Sequence, residues 1–93
     1  MNHTELSVKT TITDIEVKQD KNQNLYFKLV VKLTNEVKFF YAFINDLPAK
    51  TLQMLKENPE QFINQLVLIN YQELPNQDGQ GTFYKVKAIE IIN

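Results

Sequence analysis

From Leu25 to Leu33 the side chains alternate without a break. Leu25, Phe27, Leu29, Val31 and Leu33 share one parity, and Tyr26, Lys28, Val30 and Lys32 share the other. A period of two puts successive side chains on opposite faces, which is the pattern of a half-buried strand; on a helix the same residues would point in all directions. A lone strand cannot bury its apolar face, so the rest of the chain has to supply partners for it.

The nearest partner is Val37 to Ile44 (VKFFYAFI), aromatic and β-branched throughout and separated from the first run by Thr34, Asn35 and Glu36. Two hairpin registers are open. A three-residue turn with Asn35 in the left-handed region places Val37, Phe39, Tyr41 and Phe43 inside and Phe40 outside, whereas a two-residue turn reverses each assignment. The first is favoured, because Asn-Glu is a poor pair for a type I′ turn.

Residues 6 to 18 (LSVKTTITDIEVK) place Leu6, Val8, Thr10 and Ile12 on one parity, then Ile15 and Val17 on the other. One extra residue near Thr13 and Asp14, a β-bulge, produces such an exchange and predicts a long, bent first strand. Lys18 to Asn24 reads as a connection. Asn45 or Asp46 can cap a helix that begins near Leu47 and tolerates Pro48 in its first turn. Leu52 and Leu55 follow at helical spacing, and Pro59 ends the helix after Asn58. Phe62 to Leu74 is a fourth strand, or a turn leading into one. Pro75 to Gly81 is a loop, and Thr82 to Ile92 is a fifth strand.

Three strands, a helix and two strands make the chain mainly β. The order is that of a five-stranded OB-fold-like barrel with one α-helix between strands 3 and 4, the helix plugging one end. An open α+β sheet uses the same elements. With 93 residues and neither linker nor repeat, residues 1 to 93 read as one OB-fold-like domain.

The segment LVLINYQELPNQDGQGTFYKVKAIEI, residues 66 to 91, resembles the end of the C-terminal OB domain of ATP-dependent polynucleotide ligases, where a V-x-V-x-Y-Q-E strand precedes a glycine-containing loop and a closing strand. Val67, Ile69, Tyr71, Gln72, Glu73 and Gly79 match in type and order. The resemblance implies an OB barrel. It does not imply ligase activity, because the KxDG-type nucleotidyl-attachment motif is missing, Thr82 stands where a basic residue is expected, and the lysine-rich motif that ends the ligase domain does not follow Ile92.

Composition narrows the function. The sequence has no cysteine, which excludes a thiol nucleophile and a thiolate metal site and points to a reducing, cytoplasmic setting. No apolar run approaches the roughly 18 residues of a membrane span. Ten basic residues against eleven acidic ones give a net charge of -1, so nucleic-acid binding has to rest on local clustering. All ten are lysines, and without the guanidinium fork that reads guanine edges, sequence-specific duplex recognition is not expected.

Catalysis needs converging groups, and the sequence offers none. His3 is the sole histidine and lies near a terminus, the acids are scattered among lysines, and no helix follows the DGQG loop to make a phosphate cradle. No catalytic residue, metal ligand or cofactor is expected, and the chain is read as non-enzymatic.

Aromatic rings beside lysines, the combination that stacks single-stranded bases and neutralises their phosphates, occur on strand exteriors. Tyr26, Lys28 and Lys32 share a face of strand 2, Lys38 and Phe40 lie beside them in the favoured register, and Phe83, Lys85 and Lys87 share a face of strand 5. These eight residues are the expected binding face for single-stranded DNA or RNA, in replication, repair or mobile-element maintenance. Lysine also guards strand edges, and exposed tyrosine is common, so the same residues fit a protein-interaction subunit accompanying a polymerase, primase, ligase or helicase. Oligosaccharide binding ranks last, for want of tryptophan.

Overall fold

The computed structural model describes residues 5–92. Five strands, β1 (Glu5–Gln19), β2 (Leu25–Lys32), β3 (Val37–Phe43), β4 (Leu66–Pro75) and β5 (Thr82–Ile91), close into a barrel in the order β1-β2-β3-β5-β4. The single α-helix among the described residues, α1 (Ala49–Glu57), connects β3 to β4. All neighbours are antiparallel except β3 and β5, which run parallel and pair only through Phe40 with Tyr84 and Tyr41 with Lys85.

The bulge in β1 lies where the parity switch puts it. Ile12 pairs with Val31 and Asp14 with Val30, leaving Thr13 as the extra residue, and its hydroxyl donates to the Val30 carbonyl at 3.1 Å. The bend lets β1 serve two neighbours, β4 along Glu5 to Thr11 and β2 along Thr11 to Gln19. A second bulge lies in β5, where Asn70 pairs with Ala88 and Tyr71 with Val86, so that Lys87 has no opposite residue.

Ile12, Phe27, Leu29, Val31, Phe40, Ala42, Val67, Ile69, Val86 and Ile89 fill the interior, joined by Leu55 of α1 and by Phe62. Phe62 precedes β4: Pro59–Gln61 form a 3-10 turn after the helix, and Asn64, in the left-handed region at φ 63°, donates its amide to the Ile12 carbonyl. Of the two sequence readings of this stretch, the turn leading into the strand is the one adopted. The helix is shorter than expected at its start. Asn45 and Asp46 do not cap it but belong to a 3-10 turn, Ile44–Asp46, and Pro48 occupies the N-cap position itself.

The favoured register of the β2–β3 hairpin is corrected. Lys32 pairs with Val37 and Leu29 with Phe40, and the chain reverses at Thr34 and Asn35, with the Leu33 amide donating to the Glu36 carbonyl at 2.8 Å. Among the described non-glycine residues only Gln23 and Asn64 have positive φ, so Asn35 does not take the left-handed conformation on which the three-residue turn depended. Phe40 and Ala42 therefore point inward, and Val37, Phe39, Tyr41 and Phe43 outward. Because β3 is apolar on both parities apart from Lys38, alternation does not decide. Packing does: small Ala42 faces Phe27, Phe40 packs between Tyr71 and Tyr84 with ring centroids 5.0 Å from each, and the Tyr41 hydroxyl is spared burial without a partner.

Candidate functional site

With the register fixed, the exterior of β2, β3 and β5 can be read residue by residue. Tyr26, Lys28 and Lys32 alternate with buried Phe27, Leu29 and Val31 and so share the outer face of β2. Across the ladder they meet Phe43, Tyr41 and Val37, and Val30 meets Phe39. From β5, Lys85 pairs with Tyr41, and Phe83 brings its ring alongside.

The result is a connected surface of four rings. Tyr26 lies 6.2 Å from Tyr41 and 5.6 Å from Phe43, and Phe83 lies 6.5 Å from Tyr41 and 6.3 Å from Phe43. The rings are tilted or edge-on to one another, as their quadrupoles prefer, and all four residues are partly exposed. They line an open groove of about 840 Å³, flanked by Asp20 of the β1–β2 connection and by Asn76, Gln77 and Asp78 of the β4–β5 loop. Both connections are tied back to themselves. Asp20 accepts the amides of Asn22 at 2.8 Å and Asn24 at 2.9 Å, and Asp78 accepts that of Gln80 at 2.9 Å beside Gly79, whose φ of 79° suits a residue without Cβ.

Several expected site residues take other places. Phe40 is a core residue, 2% exposed, and leaves the candidate face altogether. Lys38 falls on the inward parity with Phe40, half-buried, and its ammonium donates to the Tyr84 hydroxyl at 3.3 Å on the groove wall. Lys85 is on the outer face but bound to Asp46 at 2.9 Å. Lys87 sits in the β5 bulge and does not continue the row of Phe83 and Lys85. His3 lies outside the described residues.

Tyr41, Phe43 and Phe39 belong to the face but were assigned to the interior by the favoured register. The signal for them was present in the reversed register, which exposes that trio together.

Charge on the groove is mixed. Lys28 holds its ammonium 4.1 Å from the centroid of the Phe39 ring. The Tyr84 hydroxyl, which accepts the Lys38 hydrogen bond, and next the Glu36 carboxylate at 3.9 Å hold the Lys38 pKa above its ordinary value, so this cation stays charged. Burial, reinforced by Tyr84 and Glu73, raises the Tyr71 pKa and keeps its hydroxyl neutral. Among the described residues no group of His, Asp and Glu is arranged to hold a metal ion, and no helix is long and apolar enough to cross a membrane.

Neither a protein-family model nor a curated protein matches the chain. Solved structures do. Two crystal forms of the mitochondrial single-stranded DNA-binding protein Rim1 of S. cerevisiae superpose with TM-scores of 0.67 and 0.65, at 14% and 16% identity, covering 100% and 99% of this chain and 97% and 95% of theirs. A third Rim1 structure gives 0.61 at 15% identity. The barrel is an OB fold. At such identities the likeness carries architecture alone. The ligase resemblance lies in part on Val67 and Ile69, which face the core and answer to any barrel of this shape.

Proposed function

We propose that this protein binds single-stranded nucleic acid in the groove over β2, β3 and β5, as a non-enzymatic module. The observation that carries the proposal is the surface of Tyr26, Tyr41, Phe43 and Phe83 lying between the β1–β2 and β4–β5 connections, the part of an OB fold that faces oligonucleotides. Bases stack on such rings whatever their identity, and Lys28 and Lys38 supply cations beside them. The absence of arginine suits a stacking mode better than readout of base edges. Rim1, a structural neighbour, is by name a single-stranded DNA-binding protein, which supports the same use of the shared scaffold. Replication, repair or mobile-element maintenance is the setting we assign.

Fluorescence anisotropy with labelled single strands and duplexes tests this directly. Binding of single strands, weakening as salt rises, is expected, with little binding of duplex. Failure to bind single strands at high micromolar protein and low salt sinks the proposal.

A second reading, an accessory subunit that docks on a replication or repair enzyme, is favoured by the acid partners of Lys38 and Lys85 and by Val37 and Phe39, 55% and 43% exposed on the same face. It gains if anisotropy shows no binding and a replication enzyme is retained on the immobilised protein.

A further inference from the structure

Four rings account for bases but not for the phosphates between them, and most lysines of the chain lie away from the groove wall. Lys38 is the exception. It falls on the inward parity of β3, half-buried, and lines the groove wall beside Tyr84. There it donates to the Tyr84 hydroxyl at 3.3 Å and lies 5.2 Å from the centroid of that ring.

Tyr84 is held in turn. Its ring packs 5.0 Å from Phe40 and 5.3 Å from Tyr71, both anchored in or against the core. A tyrosine hydroxyl that accepts one hydrogen bond retains its own proton to donate, and an ammonium with one donor committed retains two. The pair therefore presents a cation and a hydroxyl donor side by side, the Tyr84 ring held by packing and the Lys38 ammonium by its hydrogen bond to it. The nearest carboxylate, Glu36 at 3.9 Å and 58% exposed, is too loosely placed to neutralise the cation completely. Glu73, the other acid acting on Lys38, has one carboxylate oxygen occupied by the Thr82 hydroxyl at 3.1 Å.

We infer that Lys38 and Tyr84 form a phosphate subsite on the groove wall, separate from the four-ring surface, which grips one phosphodiester of a strand whose bases stack on Tyr26, Tyr41, Phe43 and Phe83. The inference rests on the binding function proposed above and adds to it a fixed anchor for the backbone. It gives Lys38 a different part from Lys28, whose ammonium lies over the Phe39 ring.

The test uses the full chain and a labelled oligothymidylate of about eight residues, within the range one OB barrel occupies. Anisotropy across a salt series is recorded for wild type, K38M and Y84F, with thermal melts to establish that each variant is folded. The strand is then rebuilt with a single uncharged methylphosphonate at each linkage in turn.

K38M is expected to flatten the slope of log affinity against log salt by about 0.7, the share of one phosphate on a single strand. Y84F removes a donor and no charge, so it should lower affinity roughly fivefold, one hydrogen bond's worth, with the slope unchanged. One methylphosphonate position should weaken wild type and leave K38M unaffected, since the contact it deletes is already gone. Folded K38M that binds with the wild-type slope and the wild-type methylphosphonate profile overturns the subsite while the binding function stands. Wild type that binds no single strand overturns both.

Discussion

The ammonium of Lys28 lies 4.1 Å from the centroid of the Phe39 ring, on adjacent strands and on the same outer face of the barrel. That distance is within the roughly 6 Å over which a ring attracts a cation, and at an exposed site the attraction is worth about 0.5–1 kcal/mol. A double-mutant cycle on urea unfolding, using K28M and F39L, should show a coupling of about that size. Additive single mutants would mean that the two side chains do not hold each other.

Phe40 and Phe39 are neighbours in sequence with opposite environments. The first packs in the core against Tyr71 and Tyr84, and the second is 43% exposed. F40A should therefore cost about 3–5 kcal/mol, the usual loss for truncating a buried phenylalanine, and F39A far less. Denaturant midpoints decide the matter. The reversed ranking would restore the register in which Phe40 faces out.

That register marks the limit of what could be read without coordinates. The run from Leu25 to Lys32 was legible because one parity is apolar and the other carries Lys28 and Lys32, so burial has a single solution. The β1 bulge was legible for the same reason, since Ile12 and Ile15 cannot both face inward without an extra residue between them. In β3 both parities are apolar apart from Lys38, and turn chemistry, a short-range preference worth little against the packing of Phe40 and Ala42, favours the other register. The error moved Phe39, Tyr41 and Phe43 from the face to the core. It left Tyr26, Lys28 and Phe83 correctly outside, because their own strands settled them. The β5 bulge at Lys87 was illegible, since polar residues on either side of Val86 disguise the change of phase.

Phe83 lies edge-on to two other rings of the surface, Tyr41 and Phe43, and is the second residue of β5, beside the β4–β5 loop. If bases stack there, F83A should weaken single-strand binding by about 1–3 kcal/mol, with a thermal midpoint close to that of wild type. Anisotropy and a melt on the same preparation read both. Equal affinity of F83A and wild type would remove the ring from the site.

Asp20 organises the β1–β2 connection. Its pKa is lowered, first by the backbone amide of Asn24; burial, the next largest influence, acts in the opposite direction and is outweighed once the Asn22 amide, the Asn24 side chain and Lys21 are added. A depressed carboxylate stabilises the fold wherever it is ionised in both states, so the contribution is complete above the ordinary value of 3.8 and is lost as pH falls through the folded value. The stability difference between wild type and D20A should be fully developed near neutral pH and should shrink on acidification below 3.8. Chemical denaturation at both ends of that window measures it. A difference that is independent of pH would show that the carboxylate's charge is not what holds the turn.

Lys85 offers a gain rather than a loss. It pairs with Tyr41 on the candidate face, yet its ammonium is bound to Asp46 of the turn after β3 at 2.9 Å, and the two side chains are 21% and 34% exposed. Such a pair adds little to stability, because Coulomb attraction near the surface is offset by desolvation and by the ordering of two side chains. Asp46 does, however, neutralise a cation where a phosphate would pass. D46N removes the opposing charge with little change of shape, so it should leave the melting temperature almost unchanged, tighten binding of single strands at low salt, and steepen the salt dependence by about 0.7 as Lys85 joins the contacts. If D46N binds no more tightly than wild type and the slope is unaltered, the strand does not run past Lys85, and the path of the backbone is confined to the side of the groove where Lys38 lies.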